Sequence, residues 1–252
     1  MSLAAQLLRR PLPRSAAAAA LAALCILRGV SAHAQEPAPT LPEFEWQAGP
    51  ITAKIGSLAE IAVPKGYSFL DQKNTGQILE SMGNIISGDE LGALFPRSAA
   101  DDWFLVFEFD KSGYVKDDEQ EDLDAEALLQ SFREGTTASN EERKRRNLPG
   151  MDLVGWEQRP SYDPDSHNLQ WALRFAAEGR PVVNHNTRLL GRTGVMSVTL
   201  VAAPEDLERV LPTAKSLLRQ FDFKAGQRYA EYKAGKHDDA VSSIDRFIRT
   251  YP

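Results

Sequence analysis

The stretch that decides the fold is residues 168–202, NLQWALRFAAEGRPVVNHNTRLLGRTGVMSVTLVA. Leu169, Trp171, Leu173 and Phe175 alternate with Gln170, Ala172 and Arg174, the period of two that a β-strand imposes on side chains. Glu178-Gly179 turns that segment into a second one over 182–190, and the Gly191–Gly194 stretch turns the second into a third over 195–202. Three segments joined by two tight turns predict an antiparallel meander.

Outward from the meander the signals alternate between strand and helix. On the N-terminal side, residues 103–110 put Trp103, Leu105, Phe107 and Phe109 on one face, with Phe104, Val106, Glu108 and Asp110 on the other. This predicts a strand with one face fully buried. Ser112-Gly113 turns it toward a short edge at Tyr114-Val115. Earlier, residues 57–63 and 67–70 read as strands around Pro64-Lys65-Gly66, and Asn74 or Thr75 can cap a helix to about Met82. Ala125, Leu128, Leu129 and Phe132 recur at helical spacing. Gly135 is read as ending that helix, and Ser139 with Glu142 as the capping box of a short one through Arg146. Residues 153–158 read as a strand and 159–166 as a loop.

On the C-terminal side, Pro204 opens a helix whose apolar face is Leu207, Val210, Leu211, Ala214, Leu217 and Leu218, with Pro212 expected to split it. Residues 221–223 read as a short extended piece and 238–248 as a last helix. The fold class is therefore α+β, an antiparallel sheet packed with helices. The expected division is a signal peptide over 1–34, a leader over 35–50, the α+β domain over 51–225 and a helical extension over 226–252.

Residues 1–34 carry the parts of an export signal: Arg9, Arg10 and Arg14, an apolar run over 16–27, and Ala32-His33-Ala34 before Gln35. Cleavage there makes Gln35 the mature N-terminus and places the protein in the periplasm or outside the cell. Removing the four arginines of that segment leaves 25 basic against 35 acidic residues, a net charge of −10 with His neutral. Such a chain repels nucleic acid, which is excluded as a partner. The one cysteine, Cys25, falls inside the apolar run, so the mature protein has no disulfide, thiol nucleophile or thiolate metal site.

No His-Glu-x-x-His, Gly-x-Ser-x-Gly, Gly-x-Gly-x-x-Gly or P-loop pattern occurs, and no cofactor is expected. Asp163 and His167 share one loop and are the candidates for acid–base or metal-assisted hydrolysis. Asp117 and Asp118 begin an oxygen-rich run that suits calcium, but an EF-hand register starting at Asp117 puts Asp122 where glycine belongs. The plainer reading is a solvated loop whose last acids favour a helix N-terminus. Asn184, Asn186 and Arg188 share a strand face, with Arg192 in the next turn, and are read as a hydrogen-bonding platform for an envelope protein or polar ligand. His185 alternates with them and points toward packed side chains. The leading function is non-catalytic binding, and the alternative is an enzyme built on the Asp163/His167 loop.

Asp102-Trp103, residues 113–118 (GYVKDD), Asn140 with Arg143, Gly155-Trp156, Tyr162-Asp163, residues 167–172 (HNLQWA), residues 183–188 (VNHNTR) and residues 190–192 (LGR) occur in this order. The combination resembles an uncharacterised bacterial family of membrane-anchored envelope proteins, domain of unknown function 2167, over about residues 49–232. The resemblance implies an envelope location and no activity. Members usually have Tyr at the place of His185, and they continue into hydrophobic anchoring segments; none is seen after residue 34 here. In outline, strands closed by an amphipathic helix are similar to the Mog1/PsbP-type α+β sandwich.

Overall fold

The computed structural model describes residues 43–116, 124–163, 168–233 and 241–243, with only the backbone of Asp163 and of 241–243. The elements are β1 (Gln47–Ala48), β2 (Ile51–Ile55), β3 (Ala59–Val63), β4 (Tyr67–Asp71), α1 (Gln72–Ser81), β5 (Glu90–Pro96), β6 (Phe104–Asp110), β7 (Tyr114–Lys116) and α2 (Ala125–Arg145). They continue with β8 (Met151–Asp163), β9 (Asn168–Ala177), β10 (Arg180–Leu190), β11 (Val195–Ala202), α3 (Pro204–Leu218), β12 (Phe221–Phe223) and β13 (Val241–Ser243).

The meander forms as expected, β9–β10–β11, and stands inside an antiparallel eight-stranded sheet of order β1-β4-β5-β6-β11-β10-β9-β8. A three-stranded sheet, β12-β3-β2, and helix α3 cover one face. Helices α1 and α2 cover parts of the other. The fold is α+β in three layers.

The largest core lies between the two sheets and α3. Phe69, Leu105, Phe107, Met196 and Val198 of the large sheet meet Ile55 and Ile61 of the small one and Val210 of α3. On the opposite face α1 buries Ile78 and Leu79 against Leu70, Phe95 and Phe104, while α2 buries Leu128, Leu129 and Phe132 against Trp171 and Leu173. Strand β6 is thus dry on both sides along most of its length, not on one side only. Its second face carries Phe104 and Val106, which α1 covers.

Several boundaries differ from the sequence reading, each for a local reason. Asp71, not Asn74 or Thr75, caps α1, and its carboxylate accepts from Asn74 N at 3.0 Å. Asn74 and Thr75 are occupied elsewhere: Asn74 Oδ1 accepts from Glu45 N, and the Thr75 hydroxyl donates to the Leu70 carbonyl. Helix α2 runs through Gly135 without a break, so no separate helix opens at Ser139. A helical glycine costs only about 1 kcal/mol. Anchors beyond it compensate: Asn140 exchanges two hydrogen bonds of 2.8 Å with the Met151 backbone, and Arg143 donates to the Gly83 carbonyl.

Helix α3 likewise continues through Pro212. Pro212 and Glu208, whose carbonyl loses its donor, both lie on the solvent side, and Val210, Ala214 and Leu217 pack on the other. Strand β8 extends to Asp163 rather than stopping at 158, with register shifts near Gly155 and after Gln158. Strands β2 and β5 were not anticipated. At the C-terminal end residues 241–243 pair in parallel with β7 instead of lying in a helix. Before β2, Gln47 and Ala48 already pair with β4.

Candidate functional site

The face of the large sheet under α1 and α2 is apolar at both flanks and polar in the middle. Register explains the stripe. Glu90, Glu108, Ser197 and Arg188 are consecutive partners across β5, β6, β11 and β10. One row on, Val106, Thr199, Asn186 and Trp171 are partners across β6, β11, β10 and β9. Asn184 stands in the next row beside Val201. Side chains of one register row point the same way, so these groups share one face.

The polar groups are held by one another. Arg188 is only 8% exposed and donates to Asp110 Oδ2 at 3.1 Å, with its guanidinium carbon 5.1 Å from the centre of the Trp171 ring. The Ser197 hydroxyl donates to the same Asp110 oxygen at 3.0 Å. Asn186 accepts from the Thr199 hydroxyl and donates to the Asn184 carbonyl. Glu90 is buried, and its carboxylate is filled by Ser87 N, the Ser87 hydroxyl and Gly88 N.

Glu108 differs from its neighbours. Burial pushes its carboxyl up to about 7, helped by the charges of Glu90, Asp110 and Asp89 and opposed by Arg188. Its carboxylate oxygens accept no hydrogen bond from the described residues. Burial also lowers Arg188, against the pull of Asp110 and Glu108. Asn184, Asn186, Thr199 and Glu108 are each half-buried, and this polar strip between the parts of the face that α1 and α2 cover is termed the furrow below. Arg143, donating to the Gly83 carbonyl at 2.8 Å, ties α2 to the end of α1.

Asn184, Asn186 and Arg188 therefore lie together, as their alternation requires, but not on an ordinary wet face. Arg188 is an internal strut. Arg192 is apart from them: it sits in the β10–β11 turn, where its side chain and N–H hold the carbonyls of Gly226 and Gln227. His185 lies on the opposite face, 1% exposed, where burial and the charge of Lys215 lower it to about 4. Asp163 ends β8, and its side chain, like His167, Asp117 and Asp118, lies outside the described residues. Among the described residues no cluster of three His, Cys, Asp or Glu could hold a metal ion. Nor is any described helix long and apolar enough to cross a membrane.

Sequence reading passed over Glu108, Asp110, Ser197 and Thr199. An available signal was the Glu108/Asp110 pair on the same strand face as Phe104 and Val106: acids there must meet polar partners on the next strand.

A stretch of 24 residues, 10% of this chain, is 92% identical to the outer membrane protein assembly factor BamD of Xylella fastidiosa strains 9a5c and Temecula1, and it spans only 8% of those relatives' length. Among solved structures the chain is similar to cyanobacterial PsbP of Synechocystis sp. PCC 6803, at 12% identity and a TM-score of 0.36 over 66% of this chain and 86% of that one. It is also similar to the Ran-binding protein Mog1p of Saccharomyces cerevisiae, at 8% identity and 0.34 over 71% and 96%. LpqN of Mycobacterium tuberculosis, described as involved in cell envelope biogenesis, gives 15% identity and 0.31 over 66% and 83%. Residues 47–245 match the family described as protein of unknown function (DUF2167), and the chain belongs to that family.

Proposed function

We propose that the protein is an exported, non-catalytic binding module of the cell envelope, and that the furrow between α1 and α2 holds its ligand or partner. One observation carries this reading. The sheet face is buried beneath helices where it is apolar and only half-buried where it carries Asn184, Asn186, Thr199 and Glu108. A protein gains stability by covering a sheet face, and an open polar strip between two covered ones is a place for a molecule that supplies the missing hydrogen bonds.

The furrow's unused capacity sets the ligand's chemistry. Glu90 and Asp110 already have their donors, whereas Glu108 does not. Near pH 7 it can accept from an N–H or O–H group, or donate when protonated. A donor-rich polar segment, such as an extended peptide or a glycan, meets that need. Export is supported by the basic, apolar and Ala-His-Ala parts of residues 1–34, and the 24-residue match, 92% identical, to an outer membrane assembly factor supports an envelope location.

Photo-crosslinking in intact cells tests both parts. A photoreactive residue at Asn184 should give a defined adduct, whereas one at Lys73, exposed on the outer side of α1, should give none. Intact mass of the uncoupled protein should begin at Gln35. Equal adducts at both positions, or none at Asn184, would remove the furrow from the proposal; Met1 in the folded product would remove export.

A further inference from the structure

On the other face of the large sheet lies a cleft of about 490 Å³, between the last turn of α3, strand β12 and adjoining ends of β9 and β10. Its volume falls in the range of about 300–1,000 Å³ usual for small-molecule sites. We propose that this cleft is a second binding site, for an anionic amphiphile whose carboxylate or phosphate meets Lys215 and Arg219 while its acyl part lies on Leu189, Leu218 and Phe221.

The lining divides in the way such a ligand requires. Leu189, Leu218 and Phe221 are half-buried and form its apolar part. Lys215 and Arg219 stand one helical turn apart at the end of α3, and neither has a carboxylate within ion-pair distance among the described residues. The third cation, Arg228, is already engaged by Asp222 at 2.8 Å, so it fixes the wall rather than receiving the ligand. Asn168, Gln170 and Thr187 bring amide and hydroxyl groups from β9 and β10. The mature chain carries an excess of acids, yet here two cations without a carboxylate partner among the described residues line a concavity with an apolar side.

The wall formed by Arg228 and Tyr229 is packed against β7 and β10. Tyr229 and Tyr232 both stack on Tyr114, with ring centres 4.7 and 3.8 Å apart, and Gly191 bridges to Arg228. These contacts hold the segment that brings Arg228 and Tyr229 to the cleft.

Titration of the full chain with dodecanoate, followed by NMR, tests the site. Saturable shifts of Leu189, Leu218 and Phe221 methyl and ring signals are expected. The K215E/R219E variant should weaken binding by about tenfold or more, the scale of losing charge-assisted bonds. Both positions are exposed, so its melting temperature should match that of the unaltered protein. Dodecanol, with the same chain and no charge, should bind more weakly than dodecanoate. Co-sedimentation with phosphatidylglycerol vesicles that K215E/R219E abolishes would identify the anion as a lipid headgroup; dodecanoate binding without co-sedimentation would identify a free acid. Absence of saturable shifts, or equal affinity of K215E/R219E and the unaltered protein for dodecanoate, overturns the proposal. Asn184→Ala should leave dodecanoate binding unchanged, which separates this site from the furrow.

Discussion

The two flanks of the large sheet are finished differently. Around β4, β5 and β6 both faces are dry: Phe69, Leu94 and Phe107 pack toward the small sheet, and Leu70, Ala93 and Phe95 toward α1, all within 1% of complete burial. Around β9 and β10 the α2 side is dry at Trp171 and Leu173, beneath Phe132, but only half-buried at Asn184 and Asn186, and the reverse buries Ala172, Val183 and His185 yet opens at Gln170 and Leu189, which line a cleft. Between the flanks runs the polar furrow. Strand sequence follows coverage: continuous apolar runs such as residues 104–107 occur where layers lie on both sides, and polar residues such as Asn184, Asn186 and Gln170 stand where a covering layer ends. Both candidate sites lie where coverage stops.

The largest test of this contrast is Trp171→Ala. The side chain is 1% exposed, sits against Phe132 with ring centres 5.9 Å apart, and lies under the Arg188 guanidinium. Its loss should cost about 3–5 kcal/mol, as much as a large aromatic from the doubly covered flank. An unchanged denaturation midpoint would show that α2 does not seal its flank as α1 does.

A second test uses the acid and the base on opposite faces of the sheet. Glu108 is raised from its ordinary 4.5 to about 7, so between those values the folded chain holds a proton that the unfolded chain releases. Its contribution is complete below about pH 4.5 and lost as pH rises through 7. His185 is lowered from 6.5 to about 4, so its contribution is complete above pH 6.5 and lost as pH falls through 4. The slopes oppose each other where the windows overlap, from about pH 4.5 to 6.5, each worth on the order of 1–3 kcal/mol. Stability of the unaltered protein should therefore vary little there. Glu108→Gln should make stability rise with pH in that window, and His185→Gln should make it fall. Urea midpoints measured across the window decide the matter; profiles that stay parallel in all three proteins would refute the opposition.

The smallest expected effect is in the furrow. Asn184 lends its backbone carbonyl to Asn186, but its own amide makes no hydrogen bond with the described residues. Asn184→Ala should shift stability by no more than about 0.5 kcal/mol. A larger loss in the melting curve would mean that the furrow belongs to the packed structure and not to an open face.

Periodicity and turns were legible without the structure. The meander, the helical face of Leu128, Leu129 and Phe132, the Pro204 start and the inward direction of His185 all follow from alternation, spacing and steric rules that act over a few residues. So did the grouping of Asn184, Asn186 and Arg188 on one face, because strand geometry alone imposes it. What those side chains do was decided elsewhere. Arg188 looked like a surface cation until β6 placed Asp110 beside it, 78 residues away in the chain. Glu108 looked like the outer face of a strand until the sheet placed it among Glu90, Asp110 and Arg188 and burial raised its carboxyl. Gly135 and Pro212 looked like helix ends, and anchoring through Asn140 and Arg143, or an open solvent side at Pro212, overrode the local preference. Local propensities are worth about 1–3 kcal/mol, and contacts between distant segments can exceed that. The order of strands, the partners of each buried charge and the concave surfaces depend on such contacts. They were therefore settled only when the layers came together.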